Sequence, residues 1–567
     1  MNTELLNKAI LHHKIDEVDQ AIDIYKTLIL KSPESANLYH LLGIAYAQQE
    51  KFTEAKSCFE TALKYNPDEP SFYNNYANLL KKLGRSDDAR FNFLESLKRQ
   101  PYNPVAHNNM GTLLFNCGEI GAAIGHYNQA LSQKPDYIEA MYNLGIAYLR
   151  QEKPAIKLAI KALQRTLTLE DNHFSANKQL GQLLHQEDDF AQAIIHYRKS
   201  LATNPDDAHT CHLLGTALLA NNEDQAGLAY FEKAYDLNST LSDLNHNLAA
   251  VYLTKQQYQK ALTHWLKHLE TEKDISTYFN VAVTYFYLGR YNEAINYYQE
   301  VLKIDPNYLN AHINLGVINL QTNNKKTAKV HYQKALSLSA DNAEIKYIIA
   351  AIDQENISKY KQPPSIFIKN LFDQYAPYFD HHLQNILDYK TPAAIVKMLQ
   401  VELNPKENSL NILDLGCGTG LSGQALKPYS QKLIGIDISE NMINYCQSKQ
   451  IYDKLITADV NSAITEFENI DLITLVDTLP YIGDLENILT KIHQSLIPGG
   501  HVIMSTEITY DVEFKLQASA RFAHNPNYIS ALCKKLHFKQ VSQEKVELRF
   551  HQDKKINGII FLFEKTL

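Results

Sequence analysis

Self-similarity at a spacing of about 34 residues over the first 355 positions limits what this chain can fold into more than any other property. The clearest unit begins at Ala36 and carries Leu42, Gly43, Tyr46, Ala55, Phe59, Ala62 and Pro67. The same offsets return as Ala89, Phe93 and Pro101, and again as Gly111, Ala123, Tyr127, Ala130 and Pro135. Ten units fit the pattern, beginning near positions 2, 36, 70, 104, 138, 174, 208, 242, 275 and 309. Two residues are inserted around Lys153-Pro154, one is lost before Ile275, and a lone helix is predicted over about Ala343 to Gln354. Each unit reads as two amphipathic helices, with small residues where the helices cross closely and large ones filling between them. Prolines 33, 67, 101, 135, 205 and 306 stop the second helix of their units. One unit cannot bury its own apolar faces, so neighbours must stack into a superhelix, and the odd last helix would cap its exposed end.

This pattern resembles the tetratricopeptide repeat family over about 60% of the chain. The resemblance implies a concave groove that binds a peptide or a protein, and it does not by itself imply an enzyme. Asn7, Asn75, Asn109, Asn143, Asn247, Asn280 and Asn314 occupy the sixth position of their repeats. A side-chain amide accepts from a backbone N–H and donates to a backbone C=O, so a ladder of them could hold an extended peptide by its main chain. The repeats of O-GlcNAc transferase line their groove with a similar ladder. The alternative is that Asn before Leu-Gly is simply frequent in such repeats.

Residues 356–365 lose the repeat pattern and contain Pro363-Pro364, which reads as a short, stiff connector. From 366 to 567 apolar runs of strand length alternate with helical segments, at 411–415, 432–437, 454–457, 470–476, 500–506, 540–548 and 557–564. That alternation predicts a seven-stranded, mostly parallel sheet covered by helices, with the last two strands antiparallel because no helix separates them.

The first strand runs into Asp414-Leu-Gly-Cys-Gly-Thr-Gly420, whose glycines remove side chains where a ligand must approach the backbone. A dinucleotide site would want G-x-G-x-x-G, but Leu421 follows and the third glycine comes one position early. Asp437 ends the second strand, where a carboxylate can accept both hydroxyls of a ribose, and Asp459 ends the third. The combination resembles the class I S-adenosylmethionine-dependent methyltransferases, a Rossmann-like α/β fold, over roughly residues 366–567. The resemblance implies that Asp414, Gly416, Cys417, Gly418 and Gly420 surround the methionine moiety and that Asp437 with Ile438 holds the ribose. It further implies that Asp459 and Val460 meet the adenine, and that Asp477 faces the methyl group. Transfer would leave S-adenosylhomocysteine. Over the whole architecture the chain resembles a sequence-defined bacterial methyltransferase family with an N-terminal tetratricopeptide array. The segments that match are 372–380, 481–485 and 521–524 with Tyr528.

Methyl transfer from a cationic sulfonium needs alignment and exclusion of water more than it needs acid–base groups. Phe372, Tyr375 and Phe379 precede the first strand, where a lid could present aromatic faces to the sulfonium; they could equally be a packing face. A general base is required only for a protonated acceptor, and Asp477, Glu507 and His524 are the candidates, with Tyr481 and Arg521 as further pocket residues. Asp477-Thr-Leu-Pro-Tyr481 lacks the D/N-P-P-Y/F signature of base amino-methyltransferases, and the paired-glutamate loop of arginine methyltransferases is missing.

Composition narrows the remainder. A net charge of −8 gives no global field for nucleic acid. The six cysteines lie far apart with no CxxC spacing, which argues against a disulfide framework or a metal site. No apolar run is long enough to span a membrane and residues 1–11 lack a signal-peptide layout, so a cytoplasmic location is expected. Three functions fit: a protein methyltransferase that recruits through its repeats, a small-molecule methyltransferase with the repeats as scaffold, and an adaptor that binds cofactor without turnover. The first is favoured because ten repeats are a large recognition surface for a metabolic enzyme.

Overall fold

The computed structural model describes residues 3–354, 360–376, 379–381, 383, 389–551 and 554–566. It divides into two compact units, 1–272 and 273–567.

The first unit holds eight helix pairs, from Thr3–Lys14 with Val18–Lys31 to Leu244–Thr254 with Tyr258–Thr271. The second helices of the first three pairs end at Lys31, Tyr65 and Arg99, each two residues before a proline of the pattern. The small residues sit where two helices of a pair touch. A Cβ on Gly43 would lie 3.0 Å from the Phe59 ring, and one on Gly215 would lie 2.5 Å from Phe231. In the fifth pair Gly145 faces Leu163, two positions later than the pattern, because the turn 150–155 is longer. Ala55, Ala89 and Ala123 are fully buried beside these contacts.

The sixth-position asparagines bond from repeat to repeat. Asn75 Nδ2 meets His40 Nε2 at 2.9 Å and Asn247 Nδ2 meets His212 Nε2 at 2.8 Å. Asn109 Nδ2 donates to Asn74 Oδ1 at 3.1 Å, and Asn143 Nδ2 donates to Asn108 Oδ1 at 3.0 Å. Their acceptors are the fifth-position residues of the preceding repeat, of which Asn74 and Asn108 are buried. The ladder is therefore a stacking device within this unit, with the amide NH₂ groups committed to neighbours. Asn109→Ala should cost the unit about 1–2 kcal/mol, because it strands the buried Asn74 oxygen. Urea unfolding followed by far-UV circular dichroism measures this; an unchanged midpoint would contradict it.

The second unit begins with two more helix pairs, Ile275–Tyr287 with Tyr291–Ile304 and Leu309–Gln321 with Lys325–Leu338. Here Asn314 Nδ2 donates to the Tyr298 hydroxyl at 2.9 Å, and the main-chain carbonyl of Asn280 accepts from Thr284 Oγ1 at 2.7 Å. The capping helix Ala343–Asp353 follows and ends at Gln354, which is left-handed.

The α/β domain of this unit contains β1 Leu410–Leu415, β2 Ser430–Asp437, β3 Lys454–Thr457, β4 Ile470–Leu475, β5 Leu496–Ile508, β6 Phe514–Leu516, β7 Phe522–His524, β8 Phe538–His551 and β9 Lys554–Lys565. The order β3-β2-β1-β4-β5 is parallel, β9 runs antiparallel beside β5, and β8 pairs with β9. These are the seven expected strands. The sheet gains two more, because β7 pairs with Glu507 and Ile508 at the end of β5 and β6 folds back on β7. Both sheet faces are covered, as a parallel sheet requires. Leu413, Leu415, Ile473, Leu475, Val502 and Met504 pack on one face, while Ile412, Leu472 and Ile503 pack on the other. The carboxyl ends of β1 to β5 thereby converge on one edge, where a doubly covered sheet leaves room for a ligand.

Candidate functional site

A cavity of about 660 Å³ runs along that edge, within the size range of small-ligand sites. Its walls follow the sheet order. Asp459 and Val460 come after β3, Asp437 and Ile438 after β2, Gly416, Cys417 and Gly418 after β1, Asp477 after β4, and Glu507 from β5. Arg521, between β6 and β7, closes the far end together with Tyr481.

The glycine-rich loop is shaped for close approach. Gly416 and Gly418 are left-handed, at φ +77° and +53°, and a Cβ on Gly416 would meet Thr478 Oγ1 at 2.3 Å. Gly418 N–H donates to Asp437 Oδ2 at 2.9 Å, and Ser439 N–H donates to Asp437 Oδ1 at 2.9 Å. Each carboxylate oxygen thus takes one backbone bond and keeps a second lone pair for a ligand hydroxyl. Burial pushes the Asp437 carboxyl up to about 6 against the pull of those two bonds. Asp459 caps the short helix after β3 by accepting from Asn461 and Ser462 N–H at 2.9 and 3.3 Å.

Two members of the expected cofactor set stand behind the loop instead of in the cavity. Asp414 is buried, and its oxygens accept from the Tyr452 hydroxyl at 2.6 Å and Thr474 Oγ1 at 2.7 Å. Burial raises its carboxyl and those hydroxyl bonds pull it back, so it fixes β1 against β4 and Tyr452. Gly420 caps the next helix at φ +91°, and a Cβ there would strike Cys446 Sγ at 2.9 Å. Tyr452 escaped sequence reading. It fills space left by Gly423, whose Cβ would lie 2.1 Å from the Tyr452 hydroxyl, and only that pairing of a glycine with a distant tyrosine signals it.

Phe372, Tyr375 and Phe379 all line the cavity, and the Tyr375 and Phe379 rings meet edge-on at 5.1 Å. Their segment is tied down by two acids of the matching stretch 372–380, to which the sequence alone assigns no role. Asp373 accepts from Ser439 Oγ at 2.6 Å, and Asp380 takes Thr419 Oγ1 and Lys449 Nζ. These anchors join the segment to both the glycine loop and the turn after Asp437.

At the other end Asp477 is left-handed at φ +55°, a backbone state that non-glycine residues adopt sparingly, and it accepts from Ser505 Oγ at 3.4 Å. Arg521 Nε lies 2.9 Å from Glu507 Oε1, and Arg521 Nη1 donates to the Tyr481 hydroxyl at 2.8 Å. Burial disfavours the Arg521 charge, but Tyr481, Glu507 and Asp477 outweigh it and hold the guanidinium above its usual range. His524 is absent from this group. It is fully buried, its Nε2 donates to the Ile482 and Gly483 carbonyls at 2.8 and 3.0 Å, and its Nδ1 accepts from Thr506 Oγ1 at 2.7 Å. Burial pushes it down to about 4. A neutral ring with both nitrogens engaged away from the cavity is a brace and not a base.

Among the described residues no group of three or more His, Cys, Asp or Glu is placed to hold a metal, and no helix is long and apolar enough to cross a membrane.

A family model described as a methyltransferase domain matches residues 413–504. Tetratricopeptide repeat models match 40–104, 111–152, 176–207, 275–308 and 309–342. Ubiquinone biosynthesis O-methyltransferase of Coxiella burnetii is 25% identical over 115 residues, which are 20% of this chain and 49% of that protein. Carboxy-S-adenosyl-L-methionine synthase of Shewanella halifaxensis is 31% identical over 125 residues, 20% of this chain and 50% of that protein. The chain thus spans about half the length of these relatives. Among solved structures, Pseudomonas aeruginosa pilF aligns with 38% of this chain and 98% of its own at 20% identity and a TM-score of 0.36. The chain carries a methyltransferase domain and tetratricopeptide repeats.

Proposed function

We propose that this protein is an S-adenosylmethionine-dependent methyltransferase whose acceptor is a protein or peptide recruited through its repeats. The observation that carries the proposal is the buried Asp437 carboxylate. It is held by Gly418 and Ser439 N–H at the edge of a cavity that also takes in Gly416 and Asp459. A ribose diol fits the remaining lone pairs, and the missing Cβ atoms leave space for a ligand beside the loop. S-adenosylmethionine supplies a methyl group on a cationic sulfur, ready for in-line displacement.

The residues of the chain do the rest. Asp437 and Asp459 fix the nucleoside end, while Phe372, Tyr375 and Phe379 exclude water and offer ring faces to positive charge. Asp477 is best placed to take the acceptor's proton as the new bond to carbon forms. Arg521 holds Glu507 and Tyr481 beside it and shapes the acceptor end. Asn109, Asn143 and Asn247 keep carbonyl oxygens that can accept N–H bonds from an extended peptide, even though their NH₂ groups serve the stacking.

The titration of Asp437 gives a signed expectation. Its carboxyl is raised to about 6, so it is ionised and able to accept both hydroxyls above that pH and loses an acceptor below it. Cofactor affinity should be flat above about pH 7 and fall up to tenfold per unit below about pH 6. Calorimetric titration with S-adenosylhomocysteine across this range checks it, and a flat profile would contradict the assignment.

Transfer itself is tested with methyl-tritiated S-adenosylmethionine and an extract separated into protein, nucleic-acid and small-molecule fractions. Label in protein is expected. Label confined to small molecules would make the repeats a scaffold, and binding without transfer would make the protein an adaptor.

A further inference from the structure

The acceptor half of the cavity is not built by the α/β domain alone. Gln321, the last residue of the helix Leu309–Gln321 in the tenth repeat, lines the same cavity as Asp437 and Asp477. Gln362 and Ser365 of the connector line it too, as do Gln517 and Ser519 of the β6–β7 turn. In sheet order that turn lies beyond β5, on the side away from the glycine loop and Asp459.

The tenth repeat is fastened to this turn. Tyr332 of the repeat and Ile345, Tyr347 and Ile348 of the capping helix share one buried apolar cluster with Phe367, Leu516 and Phe522. The Tyr347 hydroxyl donates to the Ala520 carbonyl at 3.0 Å, and Gln354 Nε2 donates to the Leu516 carbonyl at 3.2 Å. The Lys361 carbonyl accepts from Gly483 and Asp484 N–H, both at 2.9 Å. Ala520 adjoins Arg521, so the capping helix that closes the repeat is bonded to the segment that carries the guanidinium holding Glu507 and Tyr481. A contact that only tethered a mobile catalytic domain would have no need of fully buried rings such as Phe522 and Tyr347.

We propose that the tenth repeat and the β6–β7 turn together form the acceptor's entrance, and that what enters is an extended polypeptide segment. The wall chemistry selects that partner. Gln362 and Gln517 bring two primary amides to this wall, each able to donate to a main-chain carbonyl and accept from a main-chain N–H, and Gln321 of the repeat borders them. A polypeptide supplies both groups at every residue, so it can be held here with little regard to sequence while one side chain reaches inward to Asp477. The last repeat is then part of the transfer site itself, and recruitment and chemistry are continuous. This inference rests on the methyltransferase reading above and adds the location and class of the acceptor.

The test uses the full chain with three probes: S-adenosylhomocysteine, methyl-labelled S-adenosylmethionine, and a degenerate synthetic peptide library. Wild type should bind S-adenosylhomocysteine and label the library. The double variant Gln362→Ala/Gln517→Ala should raise KM for the library about tenfold, the expected loss of two hydrogen bonds, with kcat within about twofold and cofactor affinity unchanged. Tyr347→Phe, which frees Ala520 without changing volume, should raise KM by several-fold in the same way. Unchanged KM in both variants would overturn the proposal, as would an unlabelled library with wild type that binds cofactor. Loss of cofactor affinity in the double variant would also overturn it, since those glutamines would then serve the cofactor. Failure of wild type to bind S-adenosylhomocysteine would overturn the methyltransferase reading first, and it is seen before any peptide is added.

Discussion

Replacing Asp437 by Ala should weaken S-adenosylmethionine binding by roughly a hundredfold or more while the domain stays folded. The expectation follows from two ribose hydroxyls donating to one carboxylate, each bond worth about 1.5–3 kcal/mol. The fold should tolerate the loss. Burial holds this carboxyl up to about 6, so at neutral pH it is ionised at the expense of stability, and its removal takes that penalty away with the two backbone bonds. Calorimetric titration and thermal unfolding read the two quantities separately. Cofactor affinity unchanged in Asp437→Ala would place the nucleoside elsewhere. A collapse in melting temperature would make Asp437 a structural residue.

The second large effect is expected at the other end of the cavity. Arg521→Met should destabilise the second unit by about 3 kcal/mol, because Glu507 is left almost wholly buried without the guanidinium 2.9 Å away. The low end of the range applies, since the Arg521 side chain keeps 15% exposure and the cavity admits water. Adding Glu507→Gln should return most of the loss, since the buried charge is then gone. Differential scanning calorimetry of the single and double variants forms the cycle. Equal melting of wild type and Arg521→Met would mean that the pair contributes nothing, and the shape assigned to the acceptor end would fall with it.

How far the sequence led can be read from particular residues. Repeats announce themselves because one unit's needs recur: Gly43 against Phe59 is the same local demand as Gly215 against Phe231. The glycine loop and Asp437 were legible for a similar reason, since a strand, a tight turn and an acid at the next strand's end all lie close in sequence. Asp414 is expected at the cavity wall but stands behind it. Its partners Tyr452 and Thr474 come from other elements, and only their arrival turns a plausible ligand into a buried strut. His524 misled in the same manner, for the carbonyls of Ile482 and Gly483 that claim its ring lie some forty residues earlier. The strands β6 and β7 have three residues each, too few for alternation to register, yet their turn carries Arg521 into the cavity. Asp373 and Asp380, which pin the aromatic segment, lie in the matching stretch 372–380, but their role shows only when Ser439, Thr419 and Lys449 arrive from other elements.

The measurement that bears most directly on the account is a crystal structure of the full chain with S-adenosylhomocysteine bound. The ribose hydroxyls should lie within hydrogen-bond distance of Asp437, the adenine beside Asp459 and Val460, and the sulfur should point toward Asp477 and Tyr481. The product bound elsewhere, or with its sulfur turned away from Asp477, would contradict it.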